Sequence, residues 1–191
     1  MKLIKYSSLI LVTSLFFIAC KTEMVDKLDD FNLDQGGYMR TVTPYPVAAA
    51  TFSVSKANMA GTKMEAVLEA VTLEKGALFS SYDLAVKFVD ATPANGNKST
   101  SEVVLRSIPA SAYTKDATTG YPRHTLVVTG ADVLTATKLT AADISSGDRF
   151  EITATMKLTN GKAFNAANTA LDITGGAFYS SPFFYRLNVA N

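Results

Sequence analysis

The sequence is poor in the residues on which most catalytic and metal sites depend. It has no tryptophan, one histidine (His124) and one cysteine (Cys20). A Ser-His-Asp site needs a nucleophile, a base and an orienting acid in mutual contact, and the chain has no G-x-S-x-G motif. A typical zinc site takes several His or Cys ligands. We therefore predict a non-enzymatic protein with no catalytic residue, metal or cofactor, in which His124 is an ordinary residue at the edge of a strand.

Charged residues are also scarce, and the two signs balance. They make up 18% of the chain, with 18 basic and 17 acidic residues, against about a quarter in ordinary soluble domains. No basic stretch interrupts this balance. Because nucleic-acid binding rests on neutralising phosphates with clustered Lys and Arg, we predict no nucleic-acid partner.

The first twenty residues have the order of a secretory signal. Lys2 and Lys5 precede an apolar run over residues 9–18, and the small residue Ala19 follows. The alternative, a transmembrane helix, needs about 20 apolar residues to cross the hydrocarbon, and this run is shorter. Cleavage after Ala19 would remove two of the 18 basic residues and leave 16 against 17 acidic ones.

The segment Phe17-Ile18-Ala19-Cys20 resembles the lipobox of bacterial lipoproteins, with Phe17 where leucine is usual. The resemblance implies that residues 1–19 are removed and that Cys20 carries a diacylglycerol through its sulfur. Two or three acyl chains hold a protein to a membrane far more firmly than one. Lipidation would also use the only thiol, which leaves the mature domain without a disulfide.

Residues 20–36 are predicted to form a flexible tether behind the lipid. The segment is polar and acidic, and its hydrophobic residues show no sustained period. A short helix over residues 23–33 is the alternative. Acidic residues soon after the cysteine also resemble, loosely, the surface-export signal of Bacteroidota lipoproteins.

Alternation of apolar and polar residues predicts seven β-strands in the remainder, residues 37–191. The pattern is clearest over Arg149–Leu158, where Phe150 and every second residue after it would face the core. One buried and one wet face are typical of an antiparallel sheet. The other strands are predicted at residues 37–43, 64–71, 83–90, 102–108, 124–129 and 183–189, with a candidate short edge piece at 51–54.

Seven strands separated by turn signals predict an all-β fold, a seven-strand immunoglobulin-like (Greek-key) β-sandwich. One short helix is expected at residues 131–139, crossing between the fifth and sixth strands. The Cys pair and the Trp of true immunoglobulin domains are absent. We therefore expect an Ig-like architecture in one domain, with no internal repeat.

Four segments also resemble a family of Bacteroidota outer-membrane lipoproteins with a single Ig-like domain. They are residues 82–90 (YDLAVKFVD), 147–150 (GDRF), 158–164 (LTNGKAF) and 181–185 (SPFFY). The resemblance runs from about Gly36 to the C-terminus and rests mostly on strand and turn residues. It implies an envelope location, and some members lie beside nutrient-uptake systems of the SusC/SusD type. It implies no catalytic residue.

Two further chemistries have weaker candidates in the sequence. Glycoside hydrolysis needs two facing carboxylates, and carboxylates on the predicted strands are expected mainly on outward, solvated faces: Glu65, Glu69, Asp83, Glu102 and Glu151. The loop 90–97 has Asp and Asn at even spacing, which a calcium site would use. Its Pro93 and Asn95-Gly96 are more simply turn formers.

Aromatic residues fall in three loops that gather at one pole of a seven-strand sandwich. They are Phe79, Tyr113, Tyr121, Phe178 and Tyr179. Such rings either contact a protein partner or a glycan, or fold back over the core. The lack of Trp weakens the glycan alternative, because Trp has the largest stacking face.

The sequence thus predicts a lipid-anchored outer-membrane protein on the periplasmic or surface side. Its expected role is that of an accessory subunit that contacts another outer-membrane protein. The alternative role is a carbohydrate- or ligand-binding module serving a nutrient-uptake system.

Overall fold

The alternating segments form two β-sheets in a sandwich-like arrangement. The structure, a computed structural model, describes residues 36–45, 47–48, 50–169 and 183–191. The predicted signal peptide, Cys20, the tether before Gly36, Phe178 and Tyr179 lie outside these residues. Within the described part, no helix has the length and apolar character needed to cross a membrane.

Within the described residues, ten strands build the two sheets. In chain order they are β1 (Gly37–Thr43), β2 (Phe52–Ser55), β3 (Lys63–Thr72), β4 (Phe79–Val89), β5 (Val103–Pro109), β6 (Thr114–Lys115), β7 (Pro122–Thr129), β8 (Arg149–Leu158), β9 (Ala163–Phe164) and β10 (Phe184–Ala190). The smaller sheet has the order β1-β3-β7-β6, and the larger has the order β2-β10-β8-β4-β5, with β9 paired to β8. Among the pairings that the structure describes, that of β2 with β10 is parallel and the others are antiparallel.

Apolar residues alternate with polar ones along β8 and face the core between the two sheets, as the sequence predicts for this strand. Phe150, Ile152 and Met156 are fully buried, while the alternate residues Arg149 and Glu151 face outward. The neighbouring β4 contributes Phe88, whose ring centroid lies 5.0 Å from that of Phe150. Phe183, Tyr185, Leu187 and Val189 share the buried side of the last strand, which confirms the predicted register there.

Strand β4 begins earlier than predicted, at Phe79 instead of Asp83. The alternation from Leu84 and Val86 extends back through Tyr82, which is fully buried. A register shift between Phe79 and Ser81 in the pairing with β8 then interrupts the period. Because this irregularity breaks the two-residue pattern, the sequence signal ends before the strand does.

The α-helix α1 (Gly130–Thr137) lies between β7 and β8, close to its predicted position. Thr129 caps its N-terminus: its side chain accepts from the backbone N–H of Asp132, and the Asp132 carboxylate accepts from the N–H of Thr129. The helix ends at Lys138, which has a left-handed φ of 58°. Three 3-10 helices are also present, at Lys56–Asn58, Pro93–Asn95 and Ala110–Ala112.

Three connections meet where β1 begins, and we call this end the N-terminal pole. Gly37 of β1 pairs with Thr72, which leads directly into the four-residue turn Leu73–Gly76. The Lys75 ammonium of that turn donates to the Thr119 carbonyl in the loop 116–121 (2.8 Å). The turn after β8 contacts the same end through a hydrogen bond from the Thr159 N–H to the Leu78 carbonyl (2.8 Å).

Candidate functional site

Two of the five aromatic residues proposed as a contact surface are buried. Phe79 is 4% exposed and Tyr113 is 9% exposed, and their rings meet edge to face with centroids 4.7 Å apart. Among the described residues the Tyr113 hydroxyl has no hydrogen-bond partner, and burial raises its pKa. These two rings cap the core and do not face solvent.

Tyr121 lies at the N-terminal pole and is half-buried. The Lys75 ammonium lies 5.2 Å from the centre of its ring, within cation–π range. Beside them Leu73 is 56% exposed, one of four large hydrophobic residues exposed in the described part of the chain. The pole therefore displays an aliphatic side chain, a cation and an aromatic ring close together.

The outward carboxylates of the larger sheet are tied into ion pairs. Burial tends to raise the pKa of Asp83, but hydrogen bonds from Lys157, Ser107 and Ser81 outweigh it and hold this pKa below its usual 3.8. Burial acts the same way on Glu151, where Arg149 and Lys87 lower the pKa. Carboxylates held ionised in this way do not match the raised pKa that a catalytic acid needs near neutral pH.

Glu69 differs from the other strand carboxylates because it is fully buried, although it lies on the outer face of the smaller sheet. It pairs with Arg40 on β1 and with Arg123 on β7, and the Arg123 Nε lies 2.7 Å from its Oε2. The Thr119 hydroxyl donates to the same oxygen at 2.9 Å. A buried carboxylate therefore joins three strands across the sheet.

The loop 116–121 covers Glu69, and the Asp116 carboxylate holds that loop in shape. Its Oδ1 accepts from the backbone N–H groups of Thr118 and Thr119, and its Oδ2 accepts from Arg123 Nη1 at 2.8 Å. The Thr119 N–H contributes most to lowering the pKa of Asp116, and the Arg123 charge lowers it further. The alternation of β3 predicted that Glu69 faces solvent, which is wrong. The loop that covers it lies about 50 residues later in the chain and cannot be seen in the strand pattern.

His124 lies within β7 and has a structural role. Its Nδ1 is 3.0 Å from the Ala112 carbonyl oxygen, and its ring lies 5.0 Å from that of the buried Tyr113. Because a carbonyl oxygen only accepts, Nδ1 carries the proton in this hydrogen bond. The histidine thus fixes the 3-10 helix Ala110–Ala112 against the sheet edge.

In the loop 90–97 the carboxylate of Asp90 is bonded to the backbone of residues close by in the chain. The Asp90 carboxylate accepts from the backbone N–H groups of Thr92 and Lys98. The nearby Asp148, 1% exposed, accepts from the Ala91 N–H, the Thr92 hydroxyl and the Ser145 N–H. Within the described ranges no three His, Cys, Asp or Glu residues form a group able to hold a metal ion.

An open groove lies beside the short edge strand β6 on the smaller sheet. Its volume is about 460 Å³, within the range of small-molecule sites. Val67 and Thr125, which pair across β3 and β7, belong to its lining. The remaining lining includes Arg123 and the segment Thr114, Lys115 and Asp116. Apart from His124, none of the lining residues was selected from the sequence, where the Asp-Ala-Thr-Thr-Gly run of 116–120 indicates a tight loop.

A second groove, of about 390 Å³, separates β5 from α1. Arg106 and Asp132 form an ion pair in its lining, at 2.8 Å. Val104, also in the lining, is 80% exposed.

No protein-family model and no curated protein sequence matches this chain. Its function is therefore inferred from its own residues.

Proposed function

We propose that this protein is a non-enzymatic, lipid-anchored envelope protein that contacts an outer-membrane partner through the N-terminal pole of an Ig-like domain. One observation carries the proposal: the chain enters β1 at the same pole that displays Leu73, Lys75 and Tyr121. If the tether of residues 20–36 stays short, a lipid on Cys20 would attach the domain from this side. The exposed leucine and the tyrosine would then lie nearest the membrane and any protein embedded in it.

The sheet order supports an Ig-like Greek key. In Ig domains the first, second, fifth and fourth strands form one sheet and the third, sixth and seventh form the other. The smaller sheet here runs β1-β3-β7-β6, and the larger one contains β10-β8-β4 at its centre. In this assignment β6 takes the place of the fourth Ig strand. The predicted fourth strand, β5, instead extends the larger sheet at its edge, as extra strands do in variable-type domains.

The chemistry of the carboxylates supports a non-catalytic role. Asp83, Glu151 and Glu69 each contact at least one cation. A glycosidase instead places one protonated and one ionised carboxyl on either side of a substrate. The arrangement on this domain stabilises the sheets.

Lipidation is tested by mass spectrometry of protein extracted from its native membrane. We expect a mature chain that begins at Cys20 and carries diacylglycerol, and Cys20→Ala should prevent processing by the lipoprotein peptidase. An unmodified thiol at Cys20 in the membrane-extracted protein would rule out the anchor.

The contact surface is tested by replacing Leu73 and Tyr121 together with serine. We expect affinity purification from the native membrane to lose the co-purifying partner while the melting temperature stays nearly unchanged. Val104→Ser is the matched control, because it removes an exposed apolar side chain from the groove between β5 and α1. If the double variant lost stability in proportion to partner recovery, the residues would serve the fold and the proposal would fail.

A ligand-binding module that serves nutrient uptake is the second candidate. The groove beside β6 favours it, because exposed polar side chains line a concave surface there. Binding of a glycan by the purified protein without any partner would support this function over the first.

A further inference from the structure

We propose that the groove beside β6 binds a carboxylate-bearing sugar. This rests on the second candidate function and specifies its ligand class. The inference comes from the hydrogen bonds in and beside the groove: the carboxylates there are bonded within the protein, and several of the N–H donors are not.

Arg123 supplies donors in a fixed position. Its Nε donates to Glu69 at 2.7 Å and its Nη1 to Asp116 at 2.8 Å. A guanidinium has five N–H groups in a rigid plane, so these two bonds hold the plane while three N–H groups have no acceptor among the described residues. A guanidinium fixed in this way recognises a carboxylate without first losing side-chain freedom.

Lys115 supplies a second cation on the wall of the groove. Its side chain is exposed, and it forms no ion pair with any residue that the structure describes. Because Lys115 follows Thr114, which pairs with Arg123 in the β6–β7 ladder, the two cations come from adjacent strands. Both residues belong to the lining of the groove.

The acceptors near these cations are already occupied. Both Asp116 oxygens accept hydrogen bonds, from Thr118, Thr119 and Arg123. Both Glu69 oxygens face arginines, and Glu69 is fully buried beneath the loop 116–121. The groove therefore offers N–H donors without matching acceptors, and a ligand that supplies negatively charged oxygens completes it.

The rest of the lining suits a sugar ring. The Thr114 and Thr125 side chains are exposed, and neither hydroxyl is bonded to a described residue. Hydroxyls donate and accept, as the hydroxyls of a sugar do. Val67 adds an apolar surface for the C–H face of the ring, and the volume of about 460 Å³ admits one or two sugar residues.

The test is ligand-observed NMR on the full-length mature protein in detergent, with three probes: glucuronate, glucose and acetate. Glucuronate has both the carboxylate and the ring, and each of the other probes lacks one of them. We expect glucuronate to bind with an affinity in the millimolar range or somewhat tighter and to be competed weakly by glucose and acetate. Lys115→Gln should weaken glucuronate binding about tenfold, as loss of one charge-assisted hydrogen bond does.

Lys56→Gln is the control, because Lys56 lies in the 3-10 helix after β2, outside the groove lining, and should leave glucuronate binding unchanged. Equal binding of glucose and glucuronate would overturn the carboxylate assignment while leaving the ligand-binding function intact. Equal binding of acetate and glucuronate would overturn the sugar assignment. If no probe bound, and a broad panel of glycans also failed to bind, both the groove proposal and the second candidate function would be wrong.

Discussion

Replacing Glu69 by glutamine removes the negative charge that joins β1, β3 and β7. Three donors surround the carboxylate: the Arg40 and Arg123 guanidiniums and the Thr119 hydroxyl. A glutamine amide has nearly the same shape, but its NH₂ group would face one of the guanidiniums as a second donor. Arg40 would then lose its ion pair, and Arg123 would keep only its ion pair with Asp116.

Breaking a buried ion pair by removing one partner costs about 3–5 kcal/mol. The arginine side chains here are 35% and 27% exposed, so water screens part of the uncompensated charge. We therefore expect Glu69→Gln to lower the free energy of unfolding by about 3 kcal/mol, at the lower end of that range. For a domain of this size, this corresponds to a fall of about 6–12 °C in melting temperature.

The matched control lies four residues earlier on the same strand. Glu65 pairs with Lys63, and both side chains are about half exposed. Glu65→Gln should change the free energy of unfolding by less than about 1 kcal/mol. Urea unfolding of both variants measures the difference, with equal m-values as the sign that the unfolded states are comparable. Equal small effects would show that Glu69 is not the electrostatic centre of the sheet.

Three further predictions concern the core, one turn and acid stability. Phe150→Ala should lower the free energy of unfolding, measured in urea, by about 3–5 kcal/mol. Thr153→Ala, on the outer face, should lower it by less than about 1 kcal/mol. Equal losses would mean that the register of β8 is wrong. Gly76→Ala should destabilise more than Gly161→Ala by differential scanning calorimetry. Both glycines have a positive φ (87° and 84°), so the backbone strain is similar. A Cβ at Gly76 would lie 2.3 Å from the Pro122 ring, whereas one at Gly161 would meet open space. Similar losses of stability in the two variants would refute this steric reason. Carboxylates whose folded pKa is lowered stabilise the fold above their unfolded pKa, near 4, and lose that contribution as pH falls through the folded value. The melting temperature should therefore be level between about pH 7 and 5 and fall below about pH 4. A decline that begins near pH 6 would contradict the lowered pKa values of the five carboxylates concerned, which are Asp83, Asp116, Asp132, Asp143 and Glu151.

The positions of the main strands could be predicted because burial on one face leaves a two-residue period in the sequence. In β8 every second residue from Phe150 to Leu158 is buried. The helix was predictable for a similar local reason, since Val133 and Thr137, four residues apart, share its buried face. Where an irregularity interrupts the period, as at Phe79, the boundary could not be placed.

The candidate site could not be predicted, because it depends on contacts between residues far apart in the chain. The burial of Glu69 requires Arg123 and Thr119, which follow it by 54 and 50 residues. Phe79 and Tyr113 are aromatic residues near chain turns, which is compatible with either a surface or a core position. The two residues lie 34 positions apart in the chain, and the edge-to-face contact of their rings places both in the core. A strand pattern says which face a residue lies on, and it does not say what covers that face.

Photo-crosslinking in intact cells tests the proposed contact most directly. A photoreactive amino acid placed at Leu73 probes the N-terminal pole, and the same amino acid at Val104 probes the groove between β5 and α1, with a similarly exposed apolar side chain at each position. We predict a discrete adduct with an outer-membrane protein from position 73 and none from position 104. An adduct from position 104 alone, or none from either position in correctly lipidated protein, would contradict the proposal that the N-terminal pole is the contact surface.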